Sequence, residues 1–528
     1  MSNFILFETT ALSSDSPAER AIRLGTIGYN HPSAPGYFYP HISEAQSITI
    51  ERGIYEARLA FGFGNEQVAL LNASNINGQY DHLGEWGFGN PGTIKIGQPG
   101  DVYEALTEVF TGTVSHVLPS GEDVEFAWRG RSTALDRAIS EAFFLGSNAD
   151  SPSPLTEGLQ TDIGGQRKKR CGGVNYNIEP VLVNSIKRIF AWRWDAEGNH
   201  APTYQVTGVR LSGSAWISAG DYTTIAAMAA ANPGVGYFVT CLAESALMMG
   251  GSAPLGGGLR IDVTIEASAS DRYASNLAAA LIVESGLSVD TDSFNALATA
   301  MPYEAGYYAA DETYREIIDE LMGSVLGWAI ARRTGSVICG TLQDLEAREP
   351  VATFNDSRSQ IALRSNDIVI HDLEPILNEK DDDLAAPVKE VRVAYYPNDY
   401  PLQKDGVAAG VSEELRQQLS QAYRYTSVLE VPGIPSIHMN AVAITHHTRL
   451  VNASHAEAVR DQLADVVGYR KRYRVKSTLN PALAQTVRPG QPVTIIHPRY
   501  GFKEGAKVWI VKEKIDATLS DAEFEVLR

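Results

Sequence analysis

Both ends of the sequence carry short runs in which apolar and polar residues alternate, the pattern of half-buried β-strands. Near the C-terminus, turn residues at Pro489-Gly490 and at Lys503–Gly505 lie beside three such runs, which are Pro492–Ile496, Ala506–Glu513 and Glu523–Leu527. This spacing predicts the closing meander of a small β-domain. The sequence stops with the third run, so we expect no tail, anchor or enzymatic module after it.

The first 148 residues are β-rich by the same criterion. The opening MSNFILFETT lacks the basic start and the cleavage site of a secretion signal, so it is interpreted as a first strand. Turn signals at Asn77-Gly78 and at Gly87–Gly92 separate further predicted strands. These strands are Ser47–Glu51, Ala57–Phe63, Glu66–Leu71, Val109–Val117 and Val124–Trp128. Short strands at this spacing favour a barrel or a sandwich.

Helical spacing is concentrated in the middle of the chain and at one place near its end. Asp221–Ala231 is predicted as a helix capped by Asp221, and Asp271–Glu284 as a second one. Glu312–Arg332 is predicted as the strongest helix, because apolar residues recur along it at three- and four-residue steps. In the predicted helix 454–467, Ser454 and Glu457 have the spacing of a capping box, and Gly468 follows as the stop.

These elements predict an α+β, β-dominated multidomain fold with a mixed α/β centre. Because 528 residues exceed one ordinary core, three or four domains are expected. We divide the chain into a β-rich unit (1–148), a mixed α/β unit (149–266), a helical or mixed unit (267–350) and a second β-rich unit (351–528) that contains the capped helix. The Ser-, Pro- and Gly-rich stretch 147–165 is interpreted as a linker or long loop.

The composition is that of an ordinary globular protein, with a strongly acidic balance. The net charge of -19 argues against broad binding of nucleic acid, because phosphate binding needs clustered cations. An anionic wall can still let a polyanion pass without trapping it. Cys171, Cys241 and Cys339 lie far apart in the sequence, which indicates free thiols in a reducing cytoplasm. No apolar run is long enough to cross a bilayer.

The sequence gives no clear catalytic or metal motif. Gly250-Gly251 and Gly256–Gly258 lack the lysine of a phosphate loop, and Ser212–Ala215 lacks the spacing of a nucleophile elbow. His446 and His447 are adjacent, so they point to opposite faces of a strand, although His438 lies nearby. We therefore predict a non-enzymatic protein with no catalytic, cofactor-binding or metal-binding residue and no cofactor.

Several charged and aromatic groups leave two interpretations open. Asp381–Asp383 and the pair Asp290 and Asp292 are acidic clusters without the spacing of a calcium loop, and Asp292 fits a helix cap or first-turn acid. The RKKR run Arg167–Arg170 is either a solvated turn or a nucleic-acid signal. Trp192 and Trp194 are expected on one strand face, either as a sugar platform or as core residues.

Four stretches, taken in order, resemble the hub or tail-tip proteins of long-tailed bacteriophages and gene transfer agents. The first is 48–139, with ERGIYEARLAFG, LLNASNINGQYD and VEFAWRGRSTALDRAI, and the second is 164–183, GGQRKKRCGGVNYNIEPVLV. The third is 220–244 with 308–342, which contains DYTTIAAM, GSVLGW and RRTGSVICGTL. The fourth runs from Tyr395 to the C-terminus and contains YYPNDYPLQ, the capped helix and the closing meander.

The resemblance implies a homotrimeric hub at the tail tip, with tail-tube-like β-domains at both ends of the chain. Two such domains in each of three subunits would match a six-fold ring. The implied partners are the distal tail protein, the tail tube protein, the tape-measure protein and a central tip or fibre protein, and DNA would pass through without specific binding. The protein would be made in the host cytoplasm and reside in the virion. Receptor binding and wall hydrolysis, which many such proteins carry in later modules, are not transferred.

Two other functions remain open on the sequence alone. A carbohydrate-active wall hydrolase would use two carboxylates, and with 63 acidic residues many pairs are available. A glycan-binding adhesion module of the tail would use exposed aromatic residues such as Trp192 and Trp194.

Overall fold

The computed structural model describes the chain from Phe4 to Arg528, with gaps. The described residues are 4–13, 16–42, 49–54, 62–68, 70–86, 90–148, 156–251, 258–332, 335–342, 345–376, 388–434, 441–467, 471–479, 483, 486–516 and 521–528. The elements form several packed layers in which strands predominate, so the predicted α+β, β-dominated fold is confirmed. None of the helices in these ranges is both long and apolar enough to span a membrane.

The N-terminal strands build a six-stranded antiparallel sheet in the order β2-β1-β7-β8-β9-β6. The predicted first strand is confirmed as β1, and its alternation turns Ile5 and Phe7 toward the core. The elements of this part are β1 (Phe4–Ser13), β2 (Ser16–Gly25), β3 (Thr49–Gly53), β4 (Gly62–Phe63), β5 (Asn65–Val68), β6 (Leu70–Ser74), α1 (Leu83–Trp86), β7 (Pro91–Gly97), β8 (Thr107–Ser120) and β9 (Asp123–Gly130). Most of the predicted strand Ala57–Phe63 lies outside the described residues.

Two five-stranded sheets follow, in the orders β14-β13-β18-β10-β20 and β11-β12-β17-β16-β15. They share a core in which Phe190 and Leu247 of one sheet meet Ile261 and Val263 of the other. The elements are β10 (Arg170–Ile178), β11 (Val181–Asn184), β12 (Ile189–Ala191), β13 (Gln205–Leu211), β14 (Ser214–Ala215), β15 (Ile217–Asp221), α2 (Ile225–Met228), β16 (Tyr237–Cys241), β17 (Ala246–Met249) and β18 (Leu259–Thr264).

A helical layer follows and packs its apolar faces into a core of its own. Thr313 and Glu316 cap its last helix with a capping box. The elements are α3 (Ala274–Glu284), β19 (Ser288–Val289), α4 (Thr291–Ala300), β20 (Gly306–Ala309), α5 (Tyr314–Ser324), β21 (Gly327–Ala331) and β22 (Ser336–Thr341).

The C-terminal strands close into a six-stranded barrel, β30-β23-β24-β29-β32-β31, because β30 and β31 also pair with each other. The N-terminal strands β3 and β5 extend this sheet through β31, and the barrel shares its core with the first sheet. The elements are β23 (Thr353–Asn355), β24 (Ile368–Pro375), β25 (Val388–Tyr395), α6 (Glu413–Ser420), β26 (Arg424–Tyr425), β27 (Leu429–Glu430), β28 (Val442–His447), α7 (Ala453–Val467), β29 (Arg472–Ser477), β30 (Pro492–Ile496), β31 (Ala506–Asp516) and β32 (Ala522–Leu527). The three runs of the predicted closing meander are confirmed as β30, β31 and β32.

Two predicted helices are shorter than expected. The prediction of one helix over Glu312–Arg332 is wrong, because α5 ends at Ser324 and the next residues form β21, which pairs with β22. The prediction for Asp221–Ala231 is also wrong, because α2 covers only Ile225–Met228 and Thr224 caps it. The carboxylate of Asp221 instead accepts hydrogen bonds from the hydroxyl of Thr240 in β16 and from the backbone N–H of Leu242 just after that strand.

The cap of α7 also differs from its prediction. The side chain of Asn452 accepts hydrogen bonds from the backbone N–H and the hydroxyl of Ser454, each at 2.9 Å, so Asn452 takes the role predicted for Ser454. The predicted stop, Gly468, lies outside the described residues. The division into four units remains a prediction.

Candidate functional site: an exposed sheet edge

The three thiols are unsuited to nucleophilic chemistry. Cys171, Cys241 and Cys339 are all buried and unpaired. Burial raises the pKa of Cys241 to about 11 and of Cys339 to about 12, and it raises that of Cys171 further. All three are therefore protonated at neutral pH, whereas a reactive cysteine is a thiolate.

The adjacent histidines of β28 have separate surroundings. His446 is half-buried, its Nε2 lies 2.8 Å from the carbonyl oxygen of Gly323, and desolvation lowers the pKa of its imidazole. The next residue, His447, is exposed and packs edge-on against the ring of Tyr423. His438 lies outside the described residues. Within the described part of the chain, no three His, Cys, Asp or Glu side chains gather as a metal site would require.

The remaining sequence candidates have structural roles where they are described. Asp290 forms an ion pair with Arg332, and Asp292 is an acid in the first turn of α4, as its position indicated. Ser212 and Gly213, both with positive φ, form the tight turn between β13 and β14, which is a hairpin and no nucleophile elbow. The acidic cluster Asp381–Asp383 lies outside the described residues.

Trp192 and Trp194 are core residues. The prediction that they share one strand face is wrong, because β12 ends at Ala191 and the two rings enter different cores. The indole N–H of Trp192 donates to Thr203, and Trp194 packs edge-on against Phe144. Both side chains are fully buried, so they cannot form a sugar platform.

The four residues of the RKKR run are buried or half-buried and each has a partner, so its interpretation as a solvated turn is wrong. Arg170 binds Glu284 through two hydrogen bonds of 2.7 and 2.8 Å, and the hydroxyl of Tyr314 donates to the same carboxylate at 2.6 Å. The other cations are paired too: Arg167 with Asp311, Lys168 with Glu157, and Lys169 with the hydroxyl of Tyr400. These contacts bind the start of β10 to α3 and to the segment after β25.

The edge strand β15 is exposed along its whole length. It pairs on one side with β16 and is the last strand of its sheet, with no strand on its other side among the described residues. All five of its residues, Ile217–Asp221, are exposed. Free backbone N–H and C=O groups along such an edge are a template for another chain, and proteins usually protect them with charge or cover.

Apolar side chains continue this edge into a patch. Ile217 is 59% exposed and lies directly opposite Tyr237, which is 42% exposed. Val235, just before β16, is 74% exposed. Within Ile217–Asp221 the only charged residue is Asp221. We call the set Ile217–Asp221, Val235 and Tyr237 the edge patch.

Comparison with known proteins gives only remote likenesses. No family model matches this chain, and no curated protein matches it significantly. The chain is similar to the 43 kDa tail protein of prophage MuSo2 from Shewanella oneidensis, at 10% identity over 100% of this chain and 98% of that one, with a TM-score of 0.42.

Two further solved structures are similar to this chain at lower TM-scores. Prophage tail protein gp18 from Listeria monocytogenes EGD-e has 7% identity, coverage of 100% of this chain and 94% of that one, and a TM-score of 0.36. A chain of the native gene transfer agent virion has 10% identity, coverage of 50% and 80%, and a TM-score of 0.18. TM-scores below 0.5 establish neither a shared fold nor a function.

The edge patch combines an unpaired strand edge with exposed apolar side chains, which are features of surfaces that bind another chain. Sequence reasoning missed it, because SAWISAGD alternates too little to be identified as a strand and was interpreted in part as a helix. The signal that was present is the absence of charge before Asp221 in a strongly acidic chain. Charge is one of the means by which proteins keep an edge strand from pairing.

Proposed function

We propose that this protein is a structural subunit of a bacteriophage tail, a homotrimeric hub at the distal end of the tail tube. It joins six-fold tail-tube or distal-tail rings to three-fold tip components and encloses the channel for the tape-measure protein and DNA. The ordered resemblance of four sequence stretches to hub proteins supports this role. The observation in the structure that carries it is the edge patch, because an assembling subunit needs such a surface.

The occupant of the edge patch in this proposal is a second copy of this chain, because a homotrimer needs a contact between copies. Copies that each carry -19 repel one another over most of their surface. The edge patch combines exposed apolar side chains with a single carboxylate, so it is a place where two copies approach at low electrostatic cost. In a ring, this patch meets a different surface on the neighbouring copy, which is the heterologous contact that closes a trimer.

The net negative charge of the chain is also compatible with a channel for DNA. Three copies carry -57, three times -19, and an anionic wall repels DNA without holding it. Passage without specific binding is what an ejection channel requires. The protein is made in the host cytoplasm and ends in the virion at the tail tip. Its tail partners are the distal tail, tail tube, tape-measure and central tip or fibre proteins.

The contact is tested with Ile217→Lys, which places a charge at the centre of the edge patch. The matched control is Ile186→Lys, because Ile186 is 88% exposed in the turn between β11 and β12, outside the patch. Native mass spectrometry should give a trimer for the wild type and for the control, and a monomer for Ile217→Lys. A trimer that persists in Ile217→Lys would refute the edge patch as the contact, and a wild-type monomer would refute self-assembly.

A further inference from the structure

A cleft opens where the helical layer meets the C-terminal barrel. Trp328 and Ile338 line it from β21 and β22, Trp509 lines it from β31, and Arg488 lines it from the turn before β30. Its volume is about 340 Å³, which lies within the range of small-molecule sites. The cleft is separate from the edge patch and is not needed for the proposed assembly.

Arg488 enters this cleft without a partner. The side chain is half-buried, and it makes no hydrogen bond or ion pair with any residue in the described part of the chain. Its Nε is fully buried and unbonded. The indole N–H of Trp328 is a second buried donor that lacks an acceptor among the described residues. Buried donors without acceptors are costly, so native proteins rarely keep them without a reason.

The charges around the cleft do not balance. Arg52 is bound by Glu513 and Arg332 by Asp290, and these four groups act electrostatically on Arg488. Arg348 and Glu349 also line the cleft and add one charge of each sign. Four guanidinium groups therefore stand against three carboxylates, and one positive charge is left over. Burial, followed by repulsion from Arg332 and Arg52, lowers the pKa of Arg488 to about 10, so the group remains a cation at neutral pH.

The backbone holds Arg488 in place. Pro489 and Gly490 form the centre of a turn closed by the bond from the Gln491 N–H to the Arg488 carbonyl, and Gly490 has a φ of +83°. A Cβ on Gly490 would lie 2.0 Å from the ring of Trp328, so the turn packs directly on the indole. The backbone of Arg488 is thus held in a tight turn against Trp328, and its side chain starts from a fixed position at the cleft.

We propose that this cleft binds the oxyanion group of a small carboxylate or phosphate ligand through the Arg488 guanidinium. A guanidinium presents paired N–H donors that match the oxygens of either group, and an anion would balance the surplus charge. The aromatic walls Trp328 and Trp509 would contact the apolar part of a ligand that has one.

Isothermal titration calorimetry on the full chain tests this with three probes: inorganic phosphate, acetate and benzoate, each against chloride at equal ionic strength. The wild type should bind at least one probe saturably at one site per chain. Arg488→Gln should weaken that binding by at least about tenfold, and Arg488→Lys, which keeps the charge but loses the paired donors, should bind with intermediate affinity. The control is Arg364→Gln, since Arg364 is exposed and does not line the cleft.

Each result of the titration either supports or overturns the proposed anion site. Binding of phosphate alone supports a phosphate ligand, and binding of acetate or benzoate supports a carboxylate. The melting temperature of Arg488→Gln in chloride should equal or exceed that of the wild type, because the substitution removes an unpaired, partly buried charge. The proposal is overturned if no probe binds the wild type saturably, or if Arg488→Gln binds as tightly as the wild type.

Discussion

Replacing Glu284 by glutamine should destabilise the protein by about 2–3 kcal/mol, because it leaves the buried Arg170 guanidinium without a counter-charge. The side chain of Arg170 is 9% exposed and that of Glu284 is 30% exposed. Breaking a fully buried pair costs about 3–5 kcal/mol, and access of water to Glu284 reduces that figure. Unfolding in urea, followed by tryptophan fluorescence, measures the loss.

The effect should also depend on pH. Burial alone would raise the pKa of Glu284, but the hydrogen bonds from Arg170 and Tyr314 outweigh it and lower the pKa below its ordinary value. The stabilisation is therefore present above the unfolded pKa, about 4.3, and is lost as the pH falls through the lower folded value. The difference between the wild type and Glu284→Gln should shrink over that acidic range.

A matched control comes from an exposed pair. Glu413 is 68% exposed and lies 3.6 Å from Arg416, so Glu413→Gln should change stability by no more than about 0.5 kcal/mol. If Glu284→Gln and Glu413→Gln both unfold at the same urea concentration as the wild type, the pair of Arg170 and Glu284 does not stabilise the fold.

Three further substitutions test the packing. Trp194→Ala should cost about 3–5 kcal/mol in urea unfolding, because it leaves a cavity in a closed core; an unchanged midpoint would place the ring at the surface. Gly490→Ala should lower the melting temperature, because Gly490 has a φ of +83° and the added Cβ would clash with Trp328. The control Gly410→Ala should leave the melting temperature unchanged, because the space around Gly410 is open. Equal shifts in the two variants would contradict this prediction. Thr313→Ala removes a capping box and should lower the free energy of unfolding by about 1 kcal/mol, measured by urea unfolding. An unchanged free energy of unfolding would mean that the cap is not formed.

Local patterns predicted the strands at both ends, because alternation of apolar and polar residues reports directly on a sheet with one buried face. These patterns failed to predict the structure where consecutive residues are all buried. The spacing of Ile317, Leu321, Val325 and Trp328 fits a helix, yet Leu326 has a positive φ and the residues from Gly327 onward pair with β22. That pairing is a tertiary contact, and the spacing of apolar residues along the chain cannot predict it.

Long-range partners account for the other errors. Arg170 finds Glu284 at a separation of 114 residues, and Lys169 finds Tyr400 at 231, so a run of four cations gave no sign that each has a partner. The buried pair of Arg52 and Glu513 spans 461 residues. The cleft around Arg488 depends on that closure, because its walls come from distant parts of the chain. Sequence reasoning had no means to find it.

We propose that this chain assembles into a three-fold ring. Negative-stain electron microscopy of the purified protein, with the native mass measured on the same sample, distinguishes a ring from a monomer. We expect particles of three times 57.2 kDa with three-fold symmetry and an axial opening. A monodisperse monomer, still monomeric when tail-tube or distal-tail protein is added, would contradict it.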